Sequence, residues 1–218
     1  MITAHDHIAA VLLAGGKARR MGGGDICLLE LAGSPMLNWV IQRMETQVST
    51  TVINANGDPE RFSLFRHPVI SDTIKDHPGP LAGILAGMHW TTKNAPQCSH
   101  IISVPTDAPF LPIDLVAKLQ AAATGTPNEI ILASSHNRTH PVIGLWPTAL
   151  ASDLEEAITI GVRKVMDWVE NYPVVIVEFT DVKIGTREID PFFNTNTPAH
   201  LQEARLLLEE MLAGTGTK

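Results

Sequence analysis

Short apolar runs alternate with segments of helical spacing along almost the whole chain, and this alternation constrains the fold more than any other feature. Residues 8–15, IAAVLLAG, read as a buried strand ending in glycine. Residues 35–48 carry apolar side chains at 37, 40, 41, 44 and 48, the spacing of one helical face. Strand-like runs recur at 51–57, 68–71 and 100–105, and helical ones at 80–90 and 112–123, the last with Pro112 in its first turn. Runs 129–135 and 140–147 read as a strand pair around the polar turn 136–139. Two helical stretches (151–159 and 162–170) and a strand (173–179) follow. A last helix spans 197–212, with Thr197 as N-cap, Pro198 at its first position and a stripe of Leu201, Ala204, Leu208 and Met211.

Strands alternating with helices predict an α/β fold: a Rossmann-like three-layer α/β/α sandwich with a mostly parallel, partly mixed sheet. The 218 residues suit one such domain over residues 1–213, with a short flexible tail at 214–218. Net charge is −7, which argues against a nucleic-acid partner. No apolar run is long enough to cross a bilayer, and residues 1–7 do not read as a secretory leader. Cys27 and Cys98 form no CxxC pair. A cytoplasmic protein without a membrane partner is expected, as is a monomer.

In an open α/β sheet, ligands bind beyond the carboxyl ends of the strands, and the polar residues collect at those predicted ends. The first strand runs into LLAGGKARRMGGGDICLLELAGSP (12–35). Its glycines at 15, 16, 22, 23 and 24 let backbone N–H groups converge on an anion, and Lys17, Arg19 and Arg20 add full charges. The N-terminus of a helix following the loop is expected to add a partial charge. This combination suits a triphosphate, although it matches neither GxxxxGK[ST] nor GxGxxG. Without a ligand, the same residues would be a solvated surface loop.

The other ends offer Asn54 and Asn56, Asp72, and Asp107 within PTDAPF. A carboxylate such as Asp107 after a buried strand can hold Mg²⁺ against phosphate oxygens, or it can cap a turn. The same two readings apply to Asp72. Asn54 and Asn56 could form a turn before Gly57, and Asn194 and Asn196 could cap the last helix. His136 and His140 stand four apart, but in a turn, and no HExxH occurs. No GxSxG elbow occurs either, and Cys27, among Ile26, Leu28 and Leu29, reads as a packed thiol.

The segment LLAGGKARRMGGGD…LLELAGSPML resembles the N-terminal signature of nucleotidyltransferases. The likeness continues in order through NAN, PVISD, HPGPLAG, PTDAPF, HPVIGLW, RKVMDWV and FFNTNTPAHL, and is nearest to the molybdenum cofactor guanylyltransferases. That resemblance implies a nucleotide-diphospho-sugar transferase type of fold. It also implies Mg²⁺-dependent transfer of GMP from GTP to molybdopterin, with release of pyrophosphate. By matching position, Leu13, Ala14, Gly15 and Gly16 would lie against the nucleotide with Asn54 and Asp72. Asp107 would bind Mg²⁺ and GTP, and Arg20 would lie near the phosphates. Asn194 and Asn196 would face the pterin. The family pattern has a lysine in the nucleotide site where this chain has Ile26. Transient contact with apo-molybdoenzymes or their chaperones is implied as well. Two other functions fit the inventory: a cytidylyl or sugar-phosphate transferase of the same superfamily, or a weakly active protein that binds and delivers nucleotide or cofactor, which Ile26 favours.

Overall fold

In the computed structural model, which describes residues 7–15, 24–74 and 79–215, the first apolar run becomes β1 (His7–Leu13). There follow β2 (Glu30–Leu31), β3 (Ser34–Pro35), α1 (Met36–Glu45), β4 (Thr50–Asn54) and β5 (Val69–Ile70). Next come α2 (Pro80–Asn94), β6 (Cys98–Pro105), α3 (Leu115–Ala121), β7 (Ile130–Ser135) and β8 (Arg138–Pro147). The chain closes with α4 (Ala151–Thr159), α5 (Val165–Val169), β9 (Val174–Glu178), β10 (Val182–Ile184), β11 (Arg187–Ile189) and α6 (Pro198–Thr215).

Seven strands form the central sheet in the order β5-β4-β1-β6-β8-β7-β9. The first four are mutually parallel, β8 is antiparallel to both its neighbours, and β9 is parallel to β7. The expected mixed, mostly parallel sheet is therefore present. The reversal comes from the hairpin at His136-Asn137, where both residues take positive φ (51° and 59°), as the favoured two-residue hairpin turn demands.

Alternation along β1 divides the core. Ile8, Ala10 and Leu12 face α1 and α3, where Leu37, Val40, Val116 and Leu119 are buried. Ala9 and Val11 face α2, α4 and α5, packing with Ile84, Leu85, Leu154 and Trp168. A third cluster joins Leu31, Met36 and Phe110 to Ala204, Leu207 and Leu208 of α6. α6 is capped as expected: His200 donates its backbone N–H to Thr197 Oγ1 at 3.2 Å.

Several boundaries differ from the sequence expectation. No helix follows the glycine loop directly. Residues 26–28 make a single 3-10 turn, the β2–β3 hairpin intervenes, and α1 starts only at Met36. α3 starts at Leu115, leaving Pro112 in the turn before it, because Asp114 leaves helical φ/ψ and pairs with Lys118 at 3.0 Å. The β10–β11 hairpin was not anticipated; it turns at Gly185, whose φ of +58° suits glycine. Among the described residues, no helix is long and apolar enough to cross a membrane.

Candidate active site

Because β5, β4, β1 and β6 run parallel, their carboxyl ends share one edge, and most of the predicted polar residues meet there. The backbone holds the edge together first. The Ala14 N–H donates to the Asn54 carbonyl at 2.8 Å, and the Thr106 hydroxyl donates to the Leu13 carbonyl at 3.2 Å. Gly15 is exposed beyond them, with open space where a side chain would stand. Gly16, Lys17, Arg19 and Arg20 lie outside the described residues.

Asn54 and Asn56 do not serve the turn before Gly57; they hold Asp72. Asn54 donates to Asp72 Oδ1 at 2.9 Å and Asn56 to Oδ2 at 2.6 Å, while the Asp72 N–H returns a bond to Asn56 Oδ1 at 2.9 Å. Both carboxylate oxygens are thus fixed, which places Asp72 as a rigid acceptor rather than a cap.

Helix α2 enters this group with its first turn. A Cβ on Gly83 would stand 2.3 Å from Asn54 Oδ1 and 2.8 Å from Leu13 Cδ2. Glycine here lets the helix N-terminus approach β1 and β4 more closely than any side chain would permit. The positive helix end facing the site is therefore that of α2, not of a helix after the glycine loop.

Asp107 follows β6 and differs from Asp72 in having no such partners. Its Oδ1 is buried without a hydrogen bond, and burial pushes its carboxyl above the usual range. A buried carboxylate with one oxygen unpartnered fits a cation. Among the described residues, no three His, Cys, Asp or Glu side chains gather to hold a metal, so an ion at Asp107 would complete its shell with substrate oxygens and water.

Thr195, which the sequence did not single out, ties the C-terminal segment to this point. Its N–H and its hydroxyl both donate to the Asp107 carbonyl, at 2.9 and 3.0 Å. Thr195 is buried, while its neighbours Asn194 and Asn196 are exposed on either side. Thr197, not either asparagine, caps α6.

A cation was also missed. Arg61 pairs with Asp25 at 2.6 Å and donates to the carbonyls of Asn56 and Asp58. It brings the far end of the glycine loop to the same edge. Ile26, next to Asp25, turns toward the third core cluster and is half-buried against it. Cys27 is buried with its thiol pushed up to about 12, first by burial and then by the Asp25 charge, so it is no nucleophile.

A model of the MobA-like NTP transferase domain matches residues 10–174. The molybdenum cofactor guanylyltransferase of Rhodopseudomonas palustris (strain BisB5) is 46% identical over 201 residues, covering 92% of this chain and 93% of that protein. The protein of the same name from Mesorhizobium japonicum is 44% identical over 205 residues, covering 94% and 97%. In fold, the chain is similar to the crystal structure of molybdopterin-guanine dinucleotide biosynthesis protein A from Archaeoglobus fulgidus. There the TM-score is 0.73 at 22% identity, over 94% of this chain and all of that one.

Proposed function

The chain belongs to the molybdenum cofactor guanylyltransferases of the MobA-like NTP transferase family, and on that premise we propose that it transfers GMP from GTP to molybdopterin and releases pyrophosphate. A terminal phosphate oxygen of the pterin forms a bond to the α-phosphorus as the α–β anhydride bond breaks. That phosphate has a second pKa of about 6, so it is already mostly deprotonated at neutral pH and no general base is required. What the chain must supply is in-line placement and compensation of charge.

The described residues fit that task. The ends of Leu13, Ala14 and Gly15 line the nucleotide with the Asn54–Asp72 pair. Gly16 and Arg20, outside the described residues, would by their match to the family pattern serve the phosphates. Mg²⁺ held by Asp107 and phosphate oxygens would neutralise charge on the departing pyrophosphate. Asn194 and Asn196, on either side of the Thr195 anchor, face the pterin. The protein works in the cytoplasm as a monomer and passes its product to apo-molybdoenzymes or their chaperones.

The single observation that carries this reading is the buried, unpartnered Oδ1 of Asp107 at the edge where β1, β4, β5 and β6 end. The test is formation of the guanine dinucleotide and of pyrophosphate from molybdopterin, GTP and Mg²⁺. GTP is expected to outcompete ATP and CTP; CTP ranking first would move the activity to cytidylyl transfer. Ile26 supports a second reading, because an apolar side chain stands where the family lysine would carry charge. A chain that binds GTP tightly without turning it over would act as a carrier instead.

A further inference from the structure

A second polar cluster stands on the same edge of the sheet, on the half formed by β8 and β7. Ser135, buried at the end of β7, donates its hydroxyl to Asp190 Oδ1 at 2.8 Å, and its oxygen lies 2.7 Å from His140 Nε2. With the serine proton committed to Asp190, the histidine must donate, which fixes its Nε2–H tautomer. The Phe192 N–H donates to the same Asp190 oxygen at 2.9 Å, and the His140 ring packs on Phe192 with centroids 4.7 Å apart. His140 reaches this position through a break in the β7/β8 register, where the pairing passes from Leu132↔Gly144 to Ala133↔His140. Pro141, which has no N–H for the ladder, lies in that break.

Segment 190–197 is therefore pinned twice. Asp190 fastens its start to Ser135 of β7, which in turn meets His140 of β8, and Thr195 fastens its far end to the Asp107 carbonyl. Asn194 and Asn196 are exposed next to the second anchor. The nucleotide-side groups hang from β1, β4 and the turn after β5, none of which bears a residue of the cluster.

We propose that Ser135, His140 and Asp190 act as a clamp that sets where Asn194 and Asn196 stand beside Asp107, and so positions the phosphate-bearing acceptor rather than GTP. The acceptor role rests on the guanylyl-transfer reading above; the clamp itself does not. All three are positioning residues. Asp190→Asn keeps an oxygen able to accept from Ser135 and from the Phe192 N–H, so it should preserve the clamp, whereas Asp190→Ala removes both bonds.

Two measurements test this. Amide hydrogen exchange over 190–197, without substrate, should speed up by about tenfold or more in Asp190→Ala and stay near wild type in Asp190→Asn. In turnover assays, Asp190→Ala should raise the KM for molybdopterin by about tenfold while the Kd for GTP, titrated alone, changes by less than about twofold. Ser135→Ala, which deletes a single hydroxyl, carries the same comparison if Asp190→Ala does not fold. Unchanged exchange overturns the clamp. Equal weakening of GTP and acceptor, or Asp190→Asn behaving like Asp190→Ala, overturns the positioning role. A wild-type chain that binds GTP but forms no product overturns the guanylyl-transfer reading and the acceptor role with it, while the exchange rates still decide the clamp.

Discussion

Thr195 grips the main-chain oxygen of Asp107 twice, through its N–H at 2.9 Å and its hydroxyl at 3.0 Å. A residue shortly before the last helix is thus fastened to one shortly after the central strand β6. Replacing Thr195 by valine keeps the shape and deletes the hydroxyl bond. We expect a loss of about 1 kcal/mol in urea denaturation and a fall in kcat with it. A stable variant with unchanged kcat would show that the amide bond alone places Asp107.

The buried Asp107 carboxylate, whose Oδ1 has no partner, should destabilise the metal-free protein. Its folded pKa is raised by burial, so the folded state holds the proton more tightly than the unfolded chain. Stability is then greatest below the unfolded value near ~3.9, falls as pH rises through the folded value, and is level above it. Asp107→Asn should therefore raise the Tm of the metal-free protein at pH 7, and this advantage should vanish toward about pH 4. Mg²⁺ with GTP should raise the Tm of the wild type by more than that of the variant. A less stable Asp107→Asn at pH 7 would contradict the uncompensated charge.

Gly83 offers a test of the α2 approach. An alanine methyl would collide with the Asn54 amide oxygen, which is committed through its own amide nitrogen to Asp72, and with Leu13. Gly83→Ala should cost about 1–3 kcal/mol in chemical denaturation and should weaken GTP binding, because the collision displaces nucleotide-side groups. Undiminished GTP affinity would separate helix packing from the site.

Ile26 half-buries an apolar side chain against the third core cluster, so a lysine there gives up packing but gains reach toward the loop. We expect Ile26→Lys to lower the Tm slightly and to raise kcat at least about tenfold, some 1.4 kcal/mol of transition-state stabilisation. Equal rates would assign the charge to the loop arginines and the metal.

The layered fold was legible because its signals are local. Apolar runs marked the strands, and the 3.6-residue spacing at Leu37, Val40, Ile41 and Met44 marked α1. The site edge was legible for a topological reason, since parallel strands must put Leu13, Asn54, Asp72 and Asp107 on one side. What escaped was relational. Asn54 and Asn56 look like turn formers until Asp72 is brought between them by strand pairing. Ser135 and Asp190 are distant in sequence, and no spacing rule joins them. Arg61 sits in a polar stretch, and its contact with Asp25 depends on the 3-10 helix Pro59–Phe65 that carries it. The β10–β11 hairpin did have a signal, an alternating VKIGTREI with a glycine at its turn.

The most direct measurement is product formation by the folded Asp107→Ala variant beside the wild type, with molybdopterin, GTP and saturating Mg²⁺. We expect the wild type to form the guanine dinucleotide and release pyrophosphate. The variant, with unchanged circular dichroism, should lose turnover by on the order of 10²-fold or more. Near-wild-type pyrophosphate release by the folded variant would contradict the role of Asp107 and, with it, the assignment of this sheet edge as the site of transfer.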